Sequence, residues 1–159
     1  MKVTIVGLGN AARGDDGVGP RVIDALTSAA LPKDTFLARA ADGAALLELL
    51  EPNRAYVLVD AVAAPEQVGA LHCFEPHELR PGAGPLSRSS TSSHALGVAE
   101  SLGIATALEQ VNPQRVRLLG IAIDPRQVML GAALSPELER VIPHAGAEAL
   151  TIAARLRDA

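Results

Sequence analysis

Two carboxylates and one imidazole carry most of the chemical promise of this sequence. Asp16 belongs to an adjacent acidic pair, Asp15-Asp16. Asp is a good helix N-cap, and one member of the pair is expected to cap the helix that follows. Two adjacent caps are redundant, so the other carboxylate is free for a different task. Asp60 comes directly after the apolar run at residues 55–59 and is expected just past a strand, at the C-terminal edge of a sheet. A turn or cap residue is its plainer role there. In open α/β sheets, however, ligands bind at that edge, where the strand order switches. If the first strand is flanked by the second and third, Asp16 and Asp60 share one crevice. His94 follows Ser92-Ser93. A lone histidine at such a position is more often a surface or capping group than a ligand, and its interest lies in its company. Two carboxylates and one imidazole form a mixed oxygen and nitrogen set suited to a borderline divalent ion such as Zn²⁺ or Ni²⁺. Three protein ligands leave coordination positions open for a substrate.

Other motifs are weaker. Gly7-Leu8-Gly9-Asn10-Ala11-Ala12 follows a strand and fits the G-x-G-x-x-G/A dinucleotide fingerprint. The next residues, Arg13-Gly14-Asp15-Asp16-Gly17, read as a turn, and their two carboxylates would repel a pyrophosphate. The acidic residue expected near the end of the second strand is missing. Gly7 and Gly9 then serve only a tight turn. His72, Cys73 and His77 cluster in sequence, but successive strand residues point to opposite faces, so His72 and Cys73 do not readily share an ion. The serines between residues 87 and 93 lack a G-x-S-x-G elbow. No H-E-x-x-H helix is present, and His144 beside Pro143 reads as a surface residue.

The elements that must position these groups alternate along the chain. Residues 3–6 form a β-branched run ended by Gly7, a buried parallel strand. Apolar residues at helical spacing follow from 17 to 28. Residues 35–40 are a second strand. Asp42 caps a helix running to Leu50, which Pro52 stops. Residues 55–59 form a strand. The connection from there to residues 70–74 is too short for a parallel crossover, so that strand is expected to be antiparallel and at an edge. Residues 76–93 are rich in Pro, Gly and Ser and read as a long loop. A helix is expected from His94 to about Leu102, a strand over 116–123, and a final helix from Ser135-Pro136-Glu137 onward, with Pro143 a break or kink. Alternating strands and helices predict a three-layer α/β domain around a mostly parallel sheet.

Bulk properties agree. The chain has 159 residues, which favours one domain over 1–159 with a core that needs neither disulfide nor structural metal. Hydrophobic residues are 48% and aromatics 2%, so the core is aliphatic. The net charge of −4 without a basic stripe argues against nucleic acid. A single cysteine, Cys73, excludes an internal disulfide. No run approaches the roughly 20 apolar residues of a membrane span, and no signal-peptide core precedes Gly7. A cytoplasmic protein is the expectation, and a monomer, since no exposed apolar helix face is evident.

The ordered motifs resemble those of the hydrogenase maturation proteases. The resemblance rests on Gly7-Leu8-Gly9-Asn10, Gly14-Asp15-Asp16-Gly17-Val18-Gly19-Pro20, Val59-Asp60-Ala61-Val62, Ser93-His94-Ala95-Leu96-Gly97 and Leu118-Leu119-Gly120-Ile121. It implies a twisted five-stranded sheet with helices on both faces. It also implies removal of a short C-terminal extension from the precursor of a nickel-iron hydrogenase large subunit. Asp16, Asp60 and His94 would be the metal-contacting residues, with nickel supplied by the substrate and no resident cofactor. The loop before His94 could clamp the tail. One departure is at Ala41-Asp42-Gly43-Ala44-Ala45, where the family often has Asp-Gly-Gly-Thr. Two rival classes are a nucleotide-binding oxidoreductase and a non-catalytic, nickel-dependent assembly chaperone.

Overall fold

The computed structural model describes residues 1–79 and 97–159. Five strands make one sheet: β1 (Val3–Leu8), β2 (Thr35–Ala40), β3 (Ala55–Ala63), β4 (Leu71–Phe74) and β5 (Val116–Ile123). Their order is β2-β1-β3-β5-β4. The first four in that order are parallel, and β4 runs antiparallel to β5 at the edge. The short link from β3 to β4 forces that reversal, as the sequence predicts. Among the described residues four α-helices accompany the sheet: α1 (Val18–Thr27), α2 (Gly43–Leu49), α3 (Val98–Ala107) and α4 (Pro136–Asp158).

Side-chain alternation along the strands divides the core into two layers. Odd-numbered positions, among them Val3, Ile5, Val57, Val59, Leu119 and Ile121, pack beneath α1 and α4 through Val22, Ile23, Leu26, Ile142 and Ile152. Even-numbered positions, among them Val6, Leu8, Tyr56, Leu58 and Leu118, pack beneath α2 and α3 through Leu46 and Leu102. Burial on both faces is what a central parallel strand needs, and explains why β1 and β3 read as continuous apolar runs. Each fully buried Val, Leu or Ile contributes about 1.5–3 kcal/mol. Tyr56 is the largest side chain fully inside. Its hydroxyl donates to the Leu49 carbonyl at 3.1 Å and accepts from the Glu51 amide at 2.7 Å, so it ties the end of α2 to the sheet.

Several expectations needed adjustment. Strand β3 does not stop at Val59; pairing with β5 carries it four residues further, from Asp60 opposite Gly120 to Ala63 opposite Ile123. Asp60 therefore lies within a strand, not beyond it. The described part of α3 begins at Val98, with Gly97 as its N-cap, and continues past Leu102 to Ala107. Pro143 does not end α4, which runs through it as one 23-residue helix.

Candidate functional site

The crevice forms where the sheet divides. Crossovers from β1 place β2 on one side and, after α2, β3 on the other. The C-terminal ends of β1 and β3 are thus the topological switch point of this sheet. Pairing of β1 with β3 ends at Gly7 opposite Val59. Asp60, the next residue, is the first on β3 to lack a β1 partner while still held by β5. It is partly buried, and its Oδ1 accepts from the Ala61 amide at 2.8 Å.

Asp16 reaches the same crevice from a loop built on glycine. The start of α1 presses onto the sheet because Gly7 and Gly19 lack side chains. A Cβ on Gly19 would lie 2.4 Å from both the Leu8 and Val59 carbonyl oxygens, atoms on either side of the β1–β3 seam. Gly9 has φ +119, and a Cβ there would lie 2.1 Å from the Asp16 carbonyl oxygen. Asn10 follows, and its amide donates to Asp16 Oδ2 at 2.9 Å. The Asn10 side chain closes its own turn by accepting from the Ala12 amide. Asp16 then sits in a 3-10 turn, Gly14–Gly17, that leads into α1.

The Asp16 charge acts on Asp60. Burial first, and the Asp16 charge second, push the Asp60 carboxyl up to about 7, against the opposing pull of the Ala61 hydrogen bond. Each carboxylate has one oxygen engaged by a backbone amide, Asp16 Oδ2 and Asp60 Oδ1. The other oxygen of each has no hydrogen-bond partner among the described residues. Such a pair attracts a cation, which would replace the proton on Asp60 as counter-charge. It is hostile to phosphate. The Asn10 amide, which a dinucleotide loop would offer to an anion, is occupied by Asp16, and no helix begins directly at the loop.

Asp15 has the opposite orientation. It is 1% exposed, and its two oxygens accept from the Ser135 amide at 2.7 Å and the Ser135 hydroxyl at 2.9 Å. Ser135 is the N-cap residue of α4, but its hydroxyl is spent on Asp15 and does not cap the helix itself. Neither acid caps α1, whose N-cap is Gly17 with no side-chain bond. The cap expected from one of the two acids on the helix that follows is therefore not made; Asp15 is instead bonded to the N-cap residue of α4. Sequence reasoning missed Ser135 as a partner because it lies 120 residues away. Asn10 was legible only as part of the Gly-Leu-Gly-Asn motif.

Asp42 does cap α2, accepting from the Ala45 amide at 2.9 Å. His94 lies outside the described residues, as does most of the 76–93 loop. Of the weaker cluster, His72 pairs with Gln67 Oε1, Cys73 is exposed, and His77 pairs with Glu75. Although Cys73 is exposed, partial desolvation by its neighbours raises the thiol above its usual range, away from the thiolate a metal needs. Among the described residues no three His, Cys, Asp or Glu side chains gather in a metal-holding group. A separate groove of about 540 Å³ opens between residues 75–77 and α3, lined by Leu102, Thr106 and Gln114, and does not include Asp16 or Asp60.

The fold and its switch-point crevice define a three-layer α/β protein with an acidic pair at the seam of β1 and β3. Solved structures of this kind include the hydrogenase maturating endopeptidase HybD from E. coli, with 23% identity, a TM-score of 0.73, and 99% of this chain and 93% of that one covered. An endopeptidase from Escherichia coli matches with a TM-score of 0.78 at 21% identity, covering 96% and 91%. The hydrogenase 2 maturation peptidase from a Thaumarchaeota archaeon is 25% identical with a TM-score of 0.60, covering 95% and 97%. The chain has the fold of these maturation peptidases over nearly its whole length. No family model matches the sequence, and no curated protein sequence matches it.

Proposed function

We propose that this chain is an endopeptidase that removes a short C-terminal extension from the nickel-loaded precursor of a nickel-iron hydrogenase large subunit. The observation that carries this reading is the Asp16–Asp60 pair at the switch point of a fold shared with hydrogenase maturation endopeptidases. Asp16 and Asp60 each offer one oxygen, and His94, just ahead of α3 in sequence, offers an imidazole. These three side chains grip the nickel that the precursor carries, and the grip presents the tail for cleavage. The enzyme keeps no cofactor of its own. Its partner is the precursor; neither nucleic acid nor membrane takes part. No helix among the described residues is long and apolar enough to cross a membrane. The reading also has it act in the cytoplasm as a monomer.

The test is mass spectrometry of a nickel-loaded precursor incubated with and without the protein. Loss of a C-terminal peptide is expected, and only when nickel is present in the precursor. His94→Ala leaves an oxygen-only set less suited to nickel, and Asp60→Asn keeps the shape without the charge. Both should remain folded by circular dichroism and lose processing. Binding to the precursor without any change in its mass would favour the chaperone reading. Equal cutting of metal-free precursor, or full activity of folded His94→Ala, would defeat the proposed mechanism.

A further inference from the structure

We infer that Asp15 is a positioning residue, which sets the Asp16 carboxylate in the crevice by fastening the glycine loop to the start of α4. The inference rests on the reading above for its consequence in activity, but on geometry for its structure. Three contacts hold the loop to the segment that precedes α4. The Gly131 amide donates to the Ala12 carbonyl at 2.7 Å, and the Gly14 amide donates to the Ala132 carbonyl at 3.2 Å. Asp15 completes the set with both oxygens on Ser135. Gly14 fits beneath this segment because it has no side chain: φ is +57, and a Cβ would lie 2.2 Å from the Gln127 carbonyl oxygen.

The loop has few other anchors beyond Gly9. Ala11 and Ala12 are exposed, and Arg13 has no side-chain bond to its own turn. Asp15 is the one loop side chain that is fully buried and hydrogen-bonded. Because Asp16 is its immediate neighbour in a tight 3-10 turn, the direction of one side chain fixes that of the other. Asp15 turned inward to α4 leaves Asp16 turned outward, where the Asn10 amide holds it. Removing Asp15 would orphan the Ser135 amide and leave the turn free to rotate. Loss of a supporting partner of this kind typically costs about 10–100-fold in metal affinity or activity.

The discriminating variants are Asp15→Ala, Asp15→Asn and Ser135→Ala. An Asn side chain still accepts from the Ser135 amide and can donate to its hydroxyl, so it preserves the fastening without the charge. Two readouts are needed. The first is the Asn10 amide proton resonance, shifted downfield by its bond to the Asp16 carboxylate and independent of any activity. The second is kcat/KM on nickel-loaded precursor. Asp15→Ala is expected to move the Asn10 resonance upfield and lower kcat/KM by about tenfold or more. Asp15→Asn is expected to restore both, and Ser135→Ala to fall between. If Asp15→Asn is as inactive as Asp15→Ala while the Asn10 resonance stays in place, Asp15 acts by its charge and the inference is wrong. An unmoved resonance in folded Asp15→Ala also overturns it. A wild-type protein that cuts nothing defeats the peptidase reading, while the resonance still decides the positioning role.

Discussion

Asp60 stands opposite Gly120 in the β3–β5 ladder, one residue beyond Val59, where the pairing of β1 ends. The acid is thus carried by a fully formed strand on one side and faces the crevice on the other. A rigid strand holds a charged group in partial burial that a loop would let escape to solvent. Gly120 suits this place, because a Cβ there would come within 3.0 Å of both the Phe74 ring and Val62.

The raised pKa of Asp60 makes stability fall as pH rises. Below the ordinary value of 3.8 both folded and unfolded chains hold the proton, and no penalty exists. Between 3.8 and about 7 only the folded chain holds it, so deprotonation favours unfolding progressively. Above about 7 the penalty is complete, on the order of 2–4 kcal/mol after allowing for partial exposure. Asp60→Asn removes it and keeps an oxygen for the Ala61 amide. The variant is expected to be more stable than wild type, by a larger margin at pH 8 than at pH 5. Urea unfolding at the two pH values checks this; an equal margin at both contradicts it.

Processing should show the opposite trend. A cation between Asp16 and Asp60 must displace the Asp60 proton, so docking of the nickel-loaded precursor weakens as pH falls below about 7. The cleavage rate at sub-saturating precursor is expected to rise between about pH 6 and pH 8 and then level off. A rate that is flat across this interval would separate the Asp60 proton from the reaction.

Two glycine-to-alanine changes should behave as opposites. Gly19→Ala puts a methyl 2.4 Å from two backbone oxygens that cannot move without parting β1 from β3. A loss of about 2–4 kcal/mol is expected, together with lost processing. Gly103→Ala lies in α3 with nothing among the described residues within 4 Å of the new methyl. It should stabilise the protein by up to about 1 kcal/mol through helix propensity alone. Thermal unfolding of the two variants distinguishes them, and a neutral Gly19→Ala would show that α1 can shift freely.

Tyr56→Phe tests the polar contact inside the aliphatic core. The ring still fills its site, but the Glu51 amide and Leu49 carbonyl lose their partner. The expected cost is about 1–3 kcal/mol. Hydrogen exchange at the Glu51 amide should accelerate while β3 stays protected. An unchanged exchange rate would mean that water takes over the contact.

Much of this architecture was legible in the residue pattern. The apolar runs, rich in Val, Leu and Ile, marked β1, the start of β3 and β5, and the short connection before Leu71 set the antiparallel edge. Asp42 marked one helix start by capping, which is local chemistry, and Pro136 marked another by its fit at the first helical position. The end of β3 was misread for a physical reason: Asp60 has poor strand propensity, but pairing with β5 on one side overrides it. Asp16 and Asp60 could be placed in one crevice once the order of strands was assumed, since the switch point follows from topology. The role of Asp15 was only half visible. An acidic pair signals two jobs, yet nothing local in the sequence names a serine 120 residues downstream as the partner.

That separation bears on when the molecule becomes competent. The Asp15–Ser135 contact spans 120 residues, so the loop can be fastened only after Ser135 has left the ribosome. Strands β1, β2 and β3 and helix α1 emerge earlier, with the Asn10 amide as the local hold on Asp16, but on the inference above the turn that carries Asp16 is fastened only when α4 begins. Closing so long a loop is entropically costly and slow, and places this step among the last to form. A nascent chain stalled before Ser135 should carry every residue of the proposed grip and still fail to process a precursor. Synthesis itself then acts as a timer that withholds proteolysis until the start of α4 has emerged.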